Sequence, residues 1–205
     1  MSNKRISRDN LEKFLDYGID IDNNVLYMGS EFDTEDSESG VDFMMAERVI
    51  KGLHYLDQKA TNGITIKMNN VGGSYYHGMA IYDAIKACEN NVTIIAYGHA
   101  MSMGSVILQA ADKRIMMPNS RLMIHYGTDG YYGHSKNFSK IAQEGEATNN
   151  IMVDILIEKI REKHPKYTRQ KLKQLLNFDT YLSAQETVDL GLCDEVYVFP
   201  SARNH

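Results

Sequence analysis

The chain has 205 residues, 43% hydrophobic and 24% charged, with a formal net charge of −5. That length and balance fit one folded domain and exclude a disordered or fibrous chain. The acidic balance supplies no cationic field for a nucleic-acid backbone, so nucleic acid is not an expected partner.

The amino end, MSNKRISRDN, carries basic residues without an apolar h-region behind them, and no stretch approaches the ~18 apolar residues that cross a bilayer. A cytoplasmic protein without membrane contact is expected. Cys88 and Cys193 form no CxxC pair and the histidines show no ligand spacing, so no disulfide framework, metal or cofactor is expected.

Along the chain, DNLEKFLDYG reads as a short helix and NNVLYMG as a short buried strand ending at Gly29. The acidic run SEFDTEDSESG reads as a solvated loop. Met45, Val49, Leu53 and Leu56 then mark one face of an amphipathic helix. ITIKM alternates as a strand does, the loop NNVGGS follows, and Ile81, Ala84, Ile85 and Cys88 lie on the next helical stripe. NVTIIAY is a strand, HAMSMG a junction, and SVILQAA a helix with Val106, Ile107 and Ala110 facing inward.

RIMM and RLMIHYG read as further strands. A Gly- and Tyr-rich segment, GTDGYYGHS, precedes a long helix to about Lys163 with Ile151, Ile155, Leu156 and Ile160 at helical intervals. Thr168 caps a shorter helix holding Leu172, Leu175 and Leu176. Ser183 and Glu186 fit a capping box, Gly191 a helix stop, and VYV a closing strand. Strands alternating with helices imply an α/β fold with a mostly parallel sheet.

In such sheets, ligand-facing groups gather where strands hand over to helices. NNVGGS lacks both GxGxxG and the Walker lysine and serine, which argues against a phosphate cradle. Its paired glycines instead suit close approach of backbone N–H groups to a substrate carbonyl, or a sheet edge extended toward a peptide. In GHAMSMG, Ser102 falls near a helix start, where it can cap the helix or act as a nucleophile beside unpaired N–H groups. His125 ends an apolar strand and is the candidate base. Asp179, Asp189 and Asp194 are all candidates for the acid that would orient it, and spacing does not choose among them.

Four motifs in order resemble the Clp protease proteolytic subunit (ClpP) family of serine peptidases, over roughly Asn24 to Tyr197. NNVGGSYYHGMAIYDAIK is similar to the family's N-S-P-G-G segment and following helix, and GHAMSMGSVIL to its G-x-A-A-S-M-G nucleophile motif. MPNSRLMIHYG is similar to its histidine motif, and FDTYLSAQETVDLGLCDEV to its D-x-x-L-S-A-x-E segment.

The resemblance implies a ClpP/crotonase-like α/β fold of repeated strand-helix units, with a protruding handle of strand plus long helix. It makes Ser102 the nucleophile, His125 the base and Asp179 the acid, with the backbone N–H groups of Gly73 and Met103 as the oxyanion hole. Residues 1–23 would be a divergent amino-terminal segment and 24–205 a single protease domain, with the handle at about 127–163.

It further implies hydrolysis of peptides or unfolded proteins, a step that itself consumes no ATP, in a homo-oligomer of heptameric rings stacked as a tetradecamer and fed by an AAA+ unfoldase. Asn70 and Val71 stand where the family has serine and proline, which is expected to loosen that loop without removing its donors, and Met101 replaces an alanine. Residues 1–23 and the acidic run 31–39 depart from the family pattern. The rival readings are a phage head-maturation protease of the same fold, a crotonase-type acyl-CoA lyase or isomerase, and an inactive structural ring subunit.

Overall fold

A computed structural model describes residues 8–29, 31–32, 38–59, 62–127, 130 and 132–200. Helix α1 (Arg8–Tyr17) forms where the sequence predicts it, and Gly18, at φ +62°, turns the chain into β1 (Ile19–Asp20). Strand β1 runs antiparallel to β2 (Val25–Gly29), and Phe14 of α1 meets Tyr27 of β2 edge-on at 5.2 Å. In the acidic run, β3 (Glu31–Phe32) and β4 (Glu38–Ser39) pair antiparallel; its other residues up to Ser37 lie outside the described ones. The loop expected there thus has paired ends, since backbone hydrogen bonds do not require apolar side chains.

Helix α2 (Phe43–Asp57) is capped by Asp42, whose carboxylate accepts from the Met45 N–H at 2.8 Å, and buries all four residues of the expected stripe. Strand β5 (Ile64–Asn70) buries Ile64, Ile66 and Met68 on alternate positions and leads through the glycine loop to α3 (Tyr75–Lys86). Strand β6 (Val92–Met101) is longer than NVTIIAY, so that Gly98 to Met101, expected in a junction, belong to the strand. Helix α4 (Met103–Leu108) is buried at every residue.

There follow β7 (Lys113–Met116), β8 (Arg121–Ile124), α5 (Ser135–Lys163) and α6 (Arg169–Leu176), the last capped by Thr168. Strand β9 (Thr180–Ser183) is an element that the sequence did not announce. Helix α7 (Ala184–Leu190) carries the expected capping box and ends at Gly191, at φ +93°. Of the closing segment VYV, only Val196 lies in a strand, β10 (Glu195–Val196).

Parallel pairing joins β2, β5, β6, β7 and β10 in that order, with β1 antiparallel at the edge. The sheet forks at β6. Its first half, Thr93 to Ala96, pairs with β7, and its second half, His99 to Met101, pairs with β8. This second partner explains why β6 outruns its apolar run. Strand β9 then lies antiparallel on β8. Ile66, Met68, Ile94, Leu53 and Ile107 are fully buried in the core between sheet and helices, each contributing about 1.5–3 kcal/mol of apolar burial.

Helix α5 has two unlike halves. No residue from Ser135 to Asn150 is buried, whereas Val153, Leu156, Ile157 and Ile160 are. Ile151, expected on the inner stripe, is 45% exposed; Val153 and Ile157 occupy the core face instead. Of the preceding segment GTDGYYGHS, residues 128, 129 and 131 lie outside the described ones.

Candidate active site

The fork in the sheet positions the reactive residues. Met101 of β6 pairs with Met123 of β8, and the Ser102 N–H continues the ladder by donating to the Met123 carbonyl at 2.8 Å. Ser102 therefore emerges beside the end of β8, one residue before α4. Its backbone sits at φ +49°, ψ −121°, a conformation costly for a residue with a Cβ and one that clusters at functional sites. The sequence lacks the glycine of a G-x-S-x-G elbow, yet the turn from strand to helix is strained in the same sense.

Ser102 occupies the N-cap position of α4, but its side chain makes no cap hydrogen bond. The hydroxyl instead lies 2.8 Å from His125 Nε2. His125 follows the last residue of β8, and its Nδ1 lies 3.0 Å from Asp179 Oδ1. An ionised carboxylate can only accept, so Nδ1 carries the proton, leaving the Nε2 lone pair to accept from the Ser102 O–H. Asp179–His125–Ser102 is thus one directed chain of hydrogen bonds.

Strand β9 brings Asp179 into place. Its register sets Thr180 opposite Ile124, so the residue before β9, Asp179, falls beside the residue after β8, His125. Asp189 accepts from the Gln185 side-chain amide at 3.0 Å, and Asp194 binds Arg114. Neither meets His125. Elsewhere, His164 Nε2 contacts the Asp189 carbonyl, and the His99 N–H donates to the Asn69 side-chain oxygen. Burial pushes the thiols of Cys88 and Cys193 up to about 11, which removes both as thiolate nucleophiles at neutral pH.

The glycine loop packs against the Ser102 turn. A Cβ on Gly72, at φ +103°, would come within 2.6 Å of the Ser102 Cβ and 3.0 Å of the Met103 nitrogen, so only glycine admits this approach. Val41 flanks the loop: its N–H donates to the Gly72 carbonyl at 2.5 Å and its carbonyl accepts from the Ser74 N–H at 2.8 Å. Among the described residues, nothing accepts from the Gly73 N–H. Met103 begins α4, so its N–H has no carbonyl a turn earlier within the helix. Val41 and Asn70, whose side chain accepts from the Gly72 N–H at 2.9 Å, were not singled out as clamps for this loop, because both act through distant backbone or a buried contact.

A cavity of about 470 Å³ opens on these groups, lined by Gly73, Ser102, Met103 and His125 and, on its apolar side, by Met152 and Leu156 of α5. Met103, and not Met101, is among the residues that line it. Among the described residues no cluster of three His, Cys, Asp or Glu could hold a metal, and no helix is long and apolar enough to cross a membrane.

The family model for Clp protease matches residues 36–199. The ATP-dependent Clp protease proteolytic subunit of Deinococcus radiodurans is 36% identical over 159 residues, covering 76% of each chain. Its namesake from Chlorella vulgaris is 32% identical over 177 residues, 85% of this chain and 81% of that one. A solved structure of a ClpP1 mutant from Listeria monocytogenes superposes with a TM-score of 0.73 at 25% identity, covering 91% of this chain and 95% of the other. With a match across most of its length and an α/β architecture shared with that structure, the chain belongs to the Clp protease family and is a serine endopeptidase with the ClpP/crotonase-like fold.

Proposed function

We propose that Ser102, His125 and Asp179 form the catalytic triad of this peptidase, with the N–H groups of Gly73 and Met103 as its oxyanion hole. The observation that carries this reading is the unbroken hydrogen-bond chain from Asp179 through His125 to the Ser102 hydroxyl. Ser102 Oγ attacks the scissile carbonyl carbon while its proton passes to His125 Nε2. The tetrahedral oxyanion is held by the two N–H groups, and Asp179 stabilises the imidazolium. The C–N bond then breaks, the amine leaves with the proton from Nε2, and water, deprotonated by His125, releases the acyl group from Ser102.

Hydrolysis itself consumes no ATP. The name of the relatives, ATP-dependent Clp protease proteolytic subunit, suggests that energy enters through a separate AAA+ unfoldase, and we carry that partner over to this chain. The same reading makes residues 24–205 one protease domain and 127–163 a handle that interlocks two heptameric rings into a chambered tetradecamer, admitting peptides and unfolded chains. The uncovered first half of α5, with Phe138 64% exposed, supports this role. Cytoplasmic residence belongs to the same reading and is supported by the two unpaired cysteines. A crotonase-type lyase would have no use for an aligned triad, an inactive subunit would be expected to lack one of its members, and nothing specific favours a phage maturation enzyme.

A fluorophosphonate tests the assignment. It is expected to modify Ser102 alone, and Ser102→Ala is expected to lose both label and turnover, the latter by about 10⁶-fold, with its circular dichroism spectrum and native mass unchanged. Label on another serine, or turnover retained in the variant, would sink the triad.

A further inference from the structure

Asn70 is fully buried at the last position of β5, where the ladder with β6 shifts register. A buried amide side chain is costly unless both its ends find partners. Here both do. Oδ1 accepts from the Gly72 N–H at 2.9 Å, an Asx-turn, and Nδ2 lies 3.5 Å from Met45 Sδ in α2. Asn70 also abuts the first turn of α4: a Cβ on Gly104 would lie 2.9 Å from its Oδ1 and 3.0 Å from its backbone oxygen. One side chain therefore touches the glycine loop by hydrogen bond and the helix start by packing, the two pieces that carry the Gly73 and Met103 N–H groups.

The peptide unit between Gly72 and Gly73 is the one that must not turn over. It is flanked by two glycines at φ +103° and +139°, so its own dihedral preferences restrain it little. In a trans peptide the N–H points opposite to the carbonyl. Because the Gly72 carbonyl is held by the Val41 N–H, the Gly73 N–H is turned away from Val41. On the other side of Gly72, the Asn70 side-chain oxygen Oδ1 accepts from the Gly72 N–H. The loop is thus gripped at both faces of Gly72 even though Val71, unlike a proline, does not lock its own φ.

We infer that Asn70 is a positioning residue for the oxyanion hole: its side-chain carbonyl, acting with Val41, fixes the Gly72–Gly73 peptide so that the Gly73 N–H meets the developing oxyanion. This rests on the triad and oxyanion assignment made above. Such a residue acts on the transition state and not on the ground-state complex, so its loss is read in kcat and not in KM.

The test compares wild type, Asn70→Ala and Asn70→Ser on a fluorogenic peptide, together with inhibition by a peptide boronate, whose tetrahedral adduct on serine mimics the intermediate. Asn70→Ala is expected to lower kcat about ten- to a hundredfold, less than deleting a hole donor outright, to weaken the boronate by a similar factor and to leave KM within about twofold. Asn70→Ser keeps an acceptor of shorter reach and is expected to lie between alanine and wild type on both quantities. An alanine variant with wild-type kcat, a loss confined to KM, or a fall in kcat with unchanged boronate affinity overturns the inference. Should circular dichroism show that the alanine variant does not fold, the serine variant is read by the same three criteria. Wild type that fluorophosphonate does not label at Ser102 overturns the parent assignment and this inference with it, whereas labelled, active wild type beside an unaffected Asn70→Ala overturns this inference alone.

Discussion

Asp179 and Asp194 each face a nitrogen-bearing side chain, in surroundings that differ in burial and in how many donors are already engaged. The His125–Asp179 side chains are 19% and 57% exposed, whereas those of Arg114 and Asp194 are 5% and 38%. Around Arg114 the donors are occupied: Nε and the backbone N–H reach Asp194 Oδ2 at 3.2 and 2.7 Å, and a terminal nitrogen binds Gln109 and the Gly191 carbonyl. That network ties β7 to the segment before β10 and to the end of α4. His125, by contrast, spends one nitrogen on Asp179 and offers the other to Ser102. An ion pair saturated on every side holds structure, and an imidazole with a free lone pair aimed at a hydroxyl can move a proton.

The contrast is broken most sharply by removing each carboxylate. Asp179→Asn is expected to lower turnover by about 10⁴-fold, as the wrong imidazole tautomer is favoured, with little change in stability. Asp194→Asn is expected to do the reverse. It leaves the buried Arg114 without its counter-charge and costs about 2 kcal/mol, below the range for a fully buried pair because Asp194 is partly solvated. Steady-state kinetics and denaturant unfolding of both variants check this, and an exchange of the two phenotypes would dissolve the distinction.

Acid tests the Arg114–Asp194 pair. For Asp194, partial burial opposes ionisation, but hydrogen bonds from the Arg114 side chain and backbone, with its charge, outweigh this and hold the carboxyl below its ordinary 3.8. A carboxyl lowered in the folded state contributes stability above its unfolded pKa and loses it as pH falls through the folded one. The Arg114 joint should therefore persist down to about pH 4 and weaken below it. Denaturant unfolding of wild type and Asp194→Asn, followed from pH 7 to pH 2, is expected to show their stability difference narrowing below about pH 4, and a difference that stays constant would contradict this joint.

A smaller effect is expected where β9 meets α7. The Ser183 N–H donates to Glu186 Oε2 at 2.8 Å, and its hydroxyl accepts from the Glu186 N–H at 3.3 Å, securing the far end of the strand that begins after Asp179. Ser183→Ala is expected to cost about 1 kcal/mol in unfolding free energy with turnover nearly retained. A fall in turnover comparable to that of Asp179→Asn would mean that the capping box, and not the β8–β9 register, holds the acid in place.

Much of the framework was legible in the residues. The stripe of α2, the alternation of β5, and the caps at Thr168 and Ser183 all appear as predicted, because each depends on neighbours three or four positions away or on a two-residue repeat. Ile151 misled because an apolar residue at helical spacing can still face outward when the helix runs beyond its core. Strand β9 escaped notice because TYLS is short, with no fully buried residue, and is a strand only by virtue of pairing with β8. With β9 unseen, the residues left Asp179, Asp189 and Asp194 equivalent, and only the family resemblance ranked them. That resemblance also supplied Gly73 and Met103, but not the parts played by Val41 and Asn70, which lie in a helix approach and a strand end.

By itself, then, the sequence determined the alternation of strands and helices, the caps at Thr168 and Ser183, and a serine and a histidine each at the end of a strand, since all of these are written in local patterns of burial and capping. Only the tertiary structure decided that β6 changes partners halfway, that β9 sets Asp179 rather than Asp194 beside His125, and that the Ser102 hydroxyl leaves its cap position for that imidazole. Those choices depend on register between segments far apart in the chain, which short-range preferences do not encode.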